Sequence, residues 1–314
     1  MSNKATPEAP VELIRARPVP RPGRWIGAAI LVLLAVAVIH SLATNPIYDW
    51  PTVWSWLFSK TILRGLLFTL ILTVGAMVLG TAIAVLMAVM RQSENPVLRA
   101  VSTFYIWFFR GTPVYTQLIF WSLIPVIYPS ITIGIPFVTD FLTFQTAQIA
   151  SMFWLAMLGL GFNEGAYLAE IIRAGINSVG KGQWEAATAL GMSRGQVMSR
   201  IVLPQAMRVI VPPLGNETIS MLKTTSLVSA MPVTWELTFV ARDIGQELFQ
   251  PVPLLLTAAI WYLIVTSVLM VGQHYLERHF GKGFDQARRG KKAGAAEAVE
   301  GAEHNEELFL DVTP

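Results

Sequence analysis

The chain has 314 residues, of which 54% are hydrophobic and only 14% charged, against about 25% charged in an ordinary soluble domain. So little charge suits a surface that faces lipid, and the absence of cysteine excludes disulfides and thiolate metal sites. A formal net charge of +3 gives nucleic-acid binding no support, so the placement of the basic residues carries the information.

Residues 1–24 combine five prolines with scattered charges and read as a disordered cytoplasmic arm. A spanning helix needs about 20 mostly apolar residues, because each rises about 1.5 Å through a core of about 30 Å. Trp25–Ala43, Leu66–Met90, Val101–Tyr128, Ala147–Ile172 and Leu254–Tyr275 meet that standard, the third with an interruption at Arg110–Pro113. Ile201–Met231 is long enough but holds Arg208, Pro212, Pro213, Asn216, Glu217 and Lys223. It counts as a span because the loops around it must alternate sides. With six spans and both ends inside, 18 of the 23 lysines and arginines fall on the inner side, as cytoplasmic loops require. The first segment, residues 25–44, also fits a secretory signal, since basic residues precede Ile26–Ile39 and Ser41-Leu42-Ala43 follows it. Retention is favoured, because a multispanning chain can be inserted by its own first helix. Trp50, Trp54, Trp56 and Trp235 fall on the outer flanks as interface anchors. Residues 284–314 mix Ala, Gly and Glu and read as a disordered tail.

Between the fourth and fifth spans, residues 181–204 read KGQWEAATALGMSRGQVMSRIVLP. Gln183–Leu190 has strong helix formers and no breaker. Gly191 suits the left-handed residue that closes a helix, and Ser193 with Gln196 spells a capping box. The expectation is two short helices joined by a tight corner. Ala186 and Ala187 leave little side chain, so another protein's surface can come close. Ala187, Gly191, Ser193 and Val197 also imitate a helix-turn-helix, but spans on either side would press it against the bilayer, away from DNA.

Ionisable residues at membrane depth are costly and usually face a cavity or one another. Glu170 and Glu164 in the fourth span, Arg110 in the third, and Asn216, Glu217, Lys223 and Thr224 in the fifth are the candidates for a substrate pathway. On a continuous helix Asn216 and Lys223 share a face, as do Glu217 and Thr224. Pro212-Pro213 removes two backbone donors and should kink or break the helix. Lys223 also reads as a partner for a carboxylate that holds helices together, and Glu170 as a group in water at the cytoplasmic end. Gly161 and Gly165, four apart, suit close helix packing. Together these elements describe an all-α, polytopic membrane protein with no catalytic or metal-binding constellation. His40, His274, His279 and His304 are scattered, and Gly175–Lys181 approaches a phosphate-binding loop but places Gly182 where a Ser or Thr hydroxyl is needed.

The order Glu185-Ala186-Ala187, then Gly191 after three residues, then Ile201-x-Leu203-Pro204 after nine more, resembles the EAA loop of ATP-binding-cassette (ABC) importer permeases. Arg110-Gly111-Thr112-Pro113, Ala166-Tyr167-Leu168-Ala169-Glu170-Ile171, Gly182-Gln183-Trp184-Glu185 and Leu203-Pro204-Gln205-Ala206 resemble the polar amino-acid branch that serves histidine, glutamine, arginine and opines. Pro212-Pro213-Leu214-Gly215-Asn216 and Leu222-Lys223-Thr224-Thr225-Ser226-Leu227 complete the set. The resemblance implies a five-helix permease core within residues 60–283, plus one extra N-terminal transmembrane helix, in a bacterial inner membrane. It implies ATP hydrolysis in separate cytoplasmic subunits, contacted through Glu185, Ala186, Ala187 and Gly191. It also implies a second permease, identical or homologous, and a periplasmic or lipid-anchored amino-acid-binding protein. The cargo would be a polar amino acid, with membrane lipid around the chain, no cofactor and no nucleic acid.

Overall fold

A computed structural model describes residues 22–135, 139–149 and 151–281. The arm before residue 22 and the tail after residue 281 lie outside the described residues. Contacts divide the chain at Asp49 into two units. The first carries helix α1, Pro22–Thr44, apolar on every side as a lipid-facing span should be.

The second unit begins with the short helix α2, Trp50–Leu57, which buries Val53 and Leu57. Helix α3, Lys60–Arg91, is 32 residues long, and its Ser59 cap accepts from the Ile62 amide. Asn95 caps helix α4, Pro96–Gly111, which stops at Thr112-Pro113 before helix α5, Val114–Ile127, so the expected interruption is a true break. A hairpin follows that the span pattern did not anticipate. Strand β1, Ser130–Ile135, pairs antiparallel with strand β2, Thr139–Gln145, aligning Ser130 with Gln145 and Thr132 with Thr143. Helix α6 is one turn, Thr146–Ile149, and helix α7 runs from Met152 to Asn177, so the fourth span starts and ends later than the apolar run suggests.

Helices α8, Lys181–Ala189, and α9, Arg194–Gln196, form the corner. A π-helical stretch, Val197–Val202, then leads directly into helix α10, Leu203–Thr224. The second arm of the corner is therefore the start of the fifth span and not a separate short helix. The widened turn ends just before Pro204, whose ring would crowd the Arg200 carbonyl in a regular helix. Pro212 and Pro213 do not break α10. Helix α12, Pro251–Gly281, packs alongside, and its Gln273 Nε2 donates to the Pro212 carbonyl at 2.7 Å. A 3₁₀ turn, Thr225–Ala230, and helix α11, Leu237–Glu247, lie between α10 and α12.

Among the described residues, Gly23–Thr44, Lys60–Arg91 and Pro251–Phe280 are long and apolar enough to cross a membrane by length and composition. The other long helices are broken, like α4 and α5, or carry polar groups inward, like α7 and α10. Helices α3 and α7 form the centre, and Leu72, Ala76, Ala84, Ala156, Leu160 and Leu168 are buried in one cluster with residues of α4 and α5. Side chains on Gly161 and Gly165 would collide with Leu79 and with Tyr105, so the small residues set this spacing. A second cluster joins α2, α3, α11 and α12, with Trp56 packed against it. Trp235 rests against Phe68 and Phe153 at 5.5 and 5.1 Å between ring centroids. Both tryptophans therefore serve packing, whereas Trp54 is the exposed one.

Fully buried Glu236 fastens this second cluster. Its Oε2 caps α11 by accepting from the Thr238 and Phe239 amides at 2.8 and 3.2 Å. Its Oε1 accepts from the Thr69 hydroxyl of α3 and the Tyr262 hydroxyl of α12. One carboxylate thus holds three helices, with a donor for each lone-pair direction.

Candidate functional site

The break between α4 and α5 frees backbone carbonyls inside the helical assembly, and two amides collect them. Gln117 Nε2 donates to the Phe109 and Thr112 carbonyls at 3.0 and 3.1 Å and to the Thr112 hydroxyl at 2.6 Å. Asn163 Nδ2, from α7, donates to the same Phe109 carbonyl at 3.0 Å and to Gln117 Oε1 at 3.1 Å. An open end of helix at membrane depth is tolerated only with such partners.

Held this way, the end of α4 opens onto a cavity of about 530 Å³ whose other walls are α7 and α10, a size typical of small-molecule sites. Arg110, Thr112, Glu164, Tyr167, Glu217, Ser220 and Thr224 line it. The Arg110 guanidinium lies 5.3 Å above the Tyr167 ring centroid, a cation–π contact that steadies it. Glu164 is only 5% exposed, and its Oε1 has no hydrogen-bond partner among the described residues. A buried carboxylate oxygen left open is expensive unless something arrives to meet it. The carboxyl is level with Gly80, where a Cβ would come within 3.1 Å of the Glu164 Cβ. Gly80 lies eleven residues from the Arg91 end of α3, about 16 Å at helical rise. The cavity therefore sits at mid-depth.

Of the residues expected on a substrate pathway, Glu217 and Thr224 meet here, together with Glu164 and Arg110. Glu170 does not line the cavity. It accepts from Arg173 at 2.7 and 2.9 Å and faces Arg91 at 3.5 Å, because the ends of α3 and α7 bring two guanidiniums beside it. Asn216 and Lys223 share a face as their spacing requires, but that face is the exposed side of α10, outside the cavity lining. Tyr167, Asn163, Gln117, Thr112 and Ser220 were not singled out from the sequence. Thr112 and Tyr167 lay inside two of the segments that carried the family resemblance, and those two segments meet at this cavity.

At the end of α7, the corner closes as its sequence indicates. Gly191 adopts φ +77°, and the Gly191 and Met192 amides donate to the Thr188 and Ala187 carbonyls at 2.9 and 3.2 Å, a Schellman closure. Ser193 and Gln196 complete the capping box. Ala187 is buried against Val197, Val202, Ala206 and Ile210, so its small side chain serves packing within the chain. Glu185, Ala186, Leu190 and Gly191 remain exposed. Gly175 lies within α7, and a side chain there would overlap Ile210, so Gly175–Lys181 is helix packing and not a phosphate loop.

Residues 80–282 match the family described as the binding-protein-dependent transport system inner membrane component. An arginine transport system permease protein from Corynebacterium glutamicum is 49% identical over 289 residues, covering 92% of this chain and 90% of the relative. An L-cystine transport system permease protein from Bacillus subtilis is 36% identical over 69% of this chain and 86% of its own length. Among solved structures, an amino acid ABC transporter crystallised with histidines matches with a TM-score of 0.59 and 32% identity, over 74% of this chain and 98% of that one. ATP hydrolysis in such systems belongs to separate subunits, and a substrate-binding protein is a further partner. With its apolar helices, its broken α4–α5 span and a sequence match over most of its length, the chain belongs to the binding-protein-dependent transport system inner membrane components, as a multi-pass permease subunit of an amino-acid ABC importer.

Proposed function

We propose that the chain imports a cationic amino acid, arginine being the first to test, with residues 181–204 on the cytoplasmic side transmitting the work of the ATPase. The observation that carries this reading is mechanical. Helical structure continues from Arg194 through the π-turn to Thr224, so the corner and the cavity wall are two ends of one rod. Glu217, Ser220 and Thr224 of that rod line the cavity. A push on the exposed Glu185, Ala186, Leu190 and Gly191 reaches that rod through the corner, where Ala187 is buried in one cluster with Val197, Val202 and Ala206. Both termini then lie on the cytoplasmic side, and a second permease chain completes the path.

The cargo follows from charge. Two carboxylates, Glu164 and Glu217, and one guanidinium, Arg110, face the cavity. Arginine carries two cationic groups and one carboxylate, the complement of that set. The 49% identical arginine permease supports the same choice.

The test is ATP-driven arginine uptake into liposomes that hold the permease, its ATPase subunits and the binding protein. Glu185→Lys and Gly191→Trp should abolish uptake and release the ATPase on co-purification. Uptake and co-purification that persist unchanged in both variants overturn the coupling assignment. Uptake that ignores ATP and follows an ion gradient overturns the importer reading.

A further inference from the structure

The end of α3 remote from the coupling corner carries a second cavity, in which one guanidinium stands among aromatic and aliphatic walls. It encloses about 310 Å³ and is walled by Thr61, Arg64 and Phe68 of α3, Thr234 and Trp235 of the irregular segment before α11, and Val240. Arg64 lies one turn into α3, sixteen residues before Gly80 and so about 24 Å along the helix from the level of Glu164. Among the described residues Arg64 forms no ion pair. Its guanidinium is held 5.8 Å over the Phe68 ring centroid, and Phe68 is fixed in turn by Trp235 and Phe153. The nearby acid in sequence, Glu236, does not neutralise it, because both Glu236 oxygens are occupied by α3, α11 and α12. Gly65 keeps the wall thin. A Cβ there would stand 3.2 Å from the Leu237 backbone, so α3 and the start of α11 touch directly beneath the cavity.

We infer that this cavity is a carboxylate site, at which Arg64 takes the α-carboxylate of an amino acid before it reaches the deeper cavity. A guanidinium recognises a carboxylate through paired N–H donors, and aromatic walls raise the strength of that contact by excluding water. The Thr61 and Thr234 hydroxyls add donors at the rim. With no resident acid, the cavity presents positive charge at the outer end, where an incoming amino acid arrives. The deeper cavity presents two carboxylates and favours the cationic groups. The outer site therefore reads the carboxylate alone, whereas the deeper one reads the cationic groups as well, with Arg110 left for the carboxylate. This inference rests on the reading of the chain as an amino-acid importer.

The experiment is equilibrium binding to the purified permease–ATPase assembly in nanodiscs of zwitterionic lipid, without binding protein. Radiolabelled L-arginine is compared with agmatine, the same molecule without its carboxylate. Arg64→Gln should remove one bound arginine per permease chain, or weaken that site by roughly tenfold or more, while agmatine binding stays as in the wild type. Arg64→Lys should recover part of the arginine site, which also controls for folding. Arg64→Gln that binds arginine like the wild type overturns the inference, as does an equal loss of arginine and agmatine. An Arg64 effect seen only when anionic lipid is present assigns the guanidinium to a headgroup phosphate and overturns it too. If the wild type still takes up arginine with ATP in those cases, the importer reading stands and only the outer site falls. A wild-type assembly that neither binds nor transports arginine overturns both.

Discussion

Glu164 and Glu236 are both buried carboxylates, and their surroundings give them different work. Every lone-pair direction of Glu236 is used by a donor from α3, α11 or α12, whereas Glu164, on the cavity wall, keeps one buried oxygen without a partner among the described residues. Glu236→Ala should leave the amides of α11 and two hydroxyls without an acceptor and cost about 2–3 kcal/mol of stability, read as a lower thermal midpoint of the detergent-solubilised chain. A midpoint within a degree of the wild type would deny Glu236 that structural role. Glu164→Gln keeps the shape and removes the charge. Its midpoint should stay near the wild-type value while arginine uptake falls roughly tenfold or more. Unchanged uptake in Glu164→Gln would remove Glu164 from the pathway. Glu164 and Glu170 looked alike in the sequence, and Glu236 was not singled out there, because the partners that separate these acids are distant in the chain. Arg91 meets Glu170 only when α3 and α7 lie side by side, and Thr69 meets Glu236 across more than half the core.

The corner at residues 181–204 was legible because its determinants are local. A glycine in the left-handed region and a Ser-x-x-Gln box fix a turn within a few residues, and both are present as spelled. Gly191→Ala forces a Cβ into that region and should cost about 1 kcal/mol. The readout is faster backbone amide exchange across residues 186–196, and equal exchange would show that the corner tolerates the strain. The hairpin was legible in principle, since Ile131-Thr132-Ile133 and Phe141–Phe144 are rich in strand formers. Attention to 20-residue apolar windows passed over it. Continuity of α10 through Pro212-Pro213 was not legible, because the side chain that ties the helix to α12 there, Gln273 donating to the Pro212 carbonyl, lies some sixty residues away. The corner is also tied to the α3–α4 turn by Glu94, which accepts from Arg194 at 2.5 Å in the open solvent. Arg194 holds the Glu94 carboxyl below its ordinary value of 4.5. A lowered pKa means that the tie is intact above the ordinary value and fades only as pH falls through the lowered one. Amide exchange at residues 92–95 should therefore match between pH 7 and pH 5.5, after correction for intrinsic rates, and rise in strong salt, which screens exposed pairs. Loss of protection already at pH 6 would contradict the assignment.

At the scale of the whole molecule, the exposed side of α10 poses the remaining problem. Asn216 and Lys223 lie one above the other, open on the surface of a helix flanked by apolar spans, with Ser220 exposed between them at the edge of the cavity. Lipid cannot satisfy an amide, a hydroxyl and an ammonium at that depth. The α12 surface is different, with Leu263, Val268 and Val271 exposed and suited to acyl chains. A second permease chain applied to the α10 face would resolve the mismatch, since polar groups from two chains would then face each other or a shared water-filled path. The native chain contains no cysteine, so single substitutions report without interference. Lys223→Cys and Ser220→Cys should form an oxidative cross-link between permease chains in native membranes, and Val268→Cys should not. The opposite pattern, with Val268→Cys joining chains while Ser220→Cys stays monomeric, would place the partner on α12 and leave the polar face of α10 without its cover. Where the partner is a homologous chain and not an identical one, the linked species migrates as a heterodimer, so the same gel separates the two assemblies.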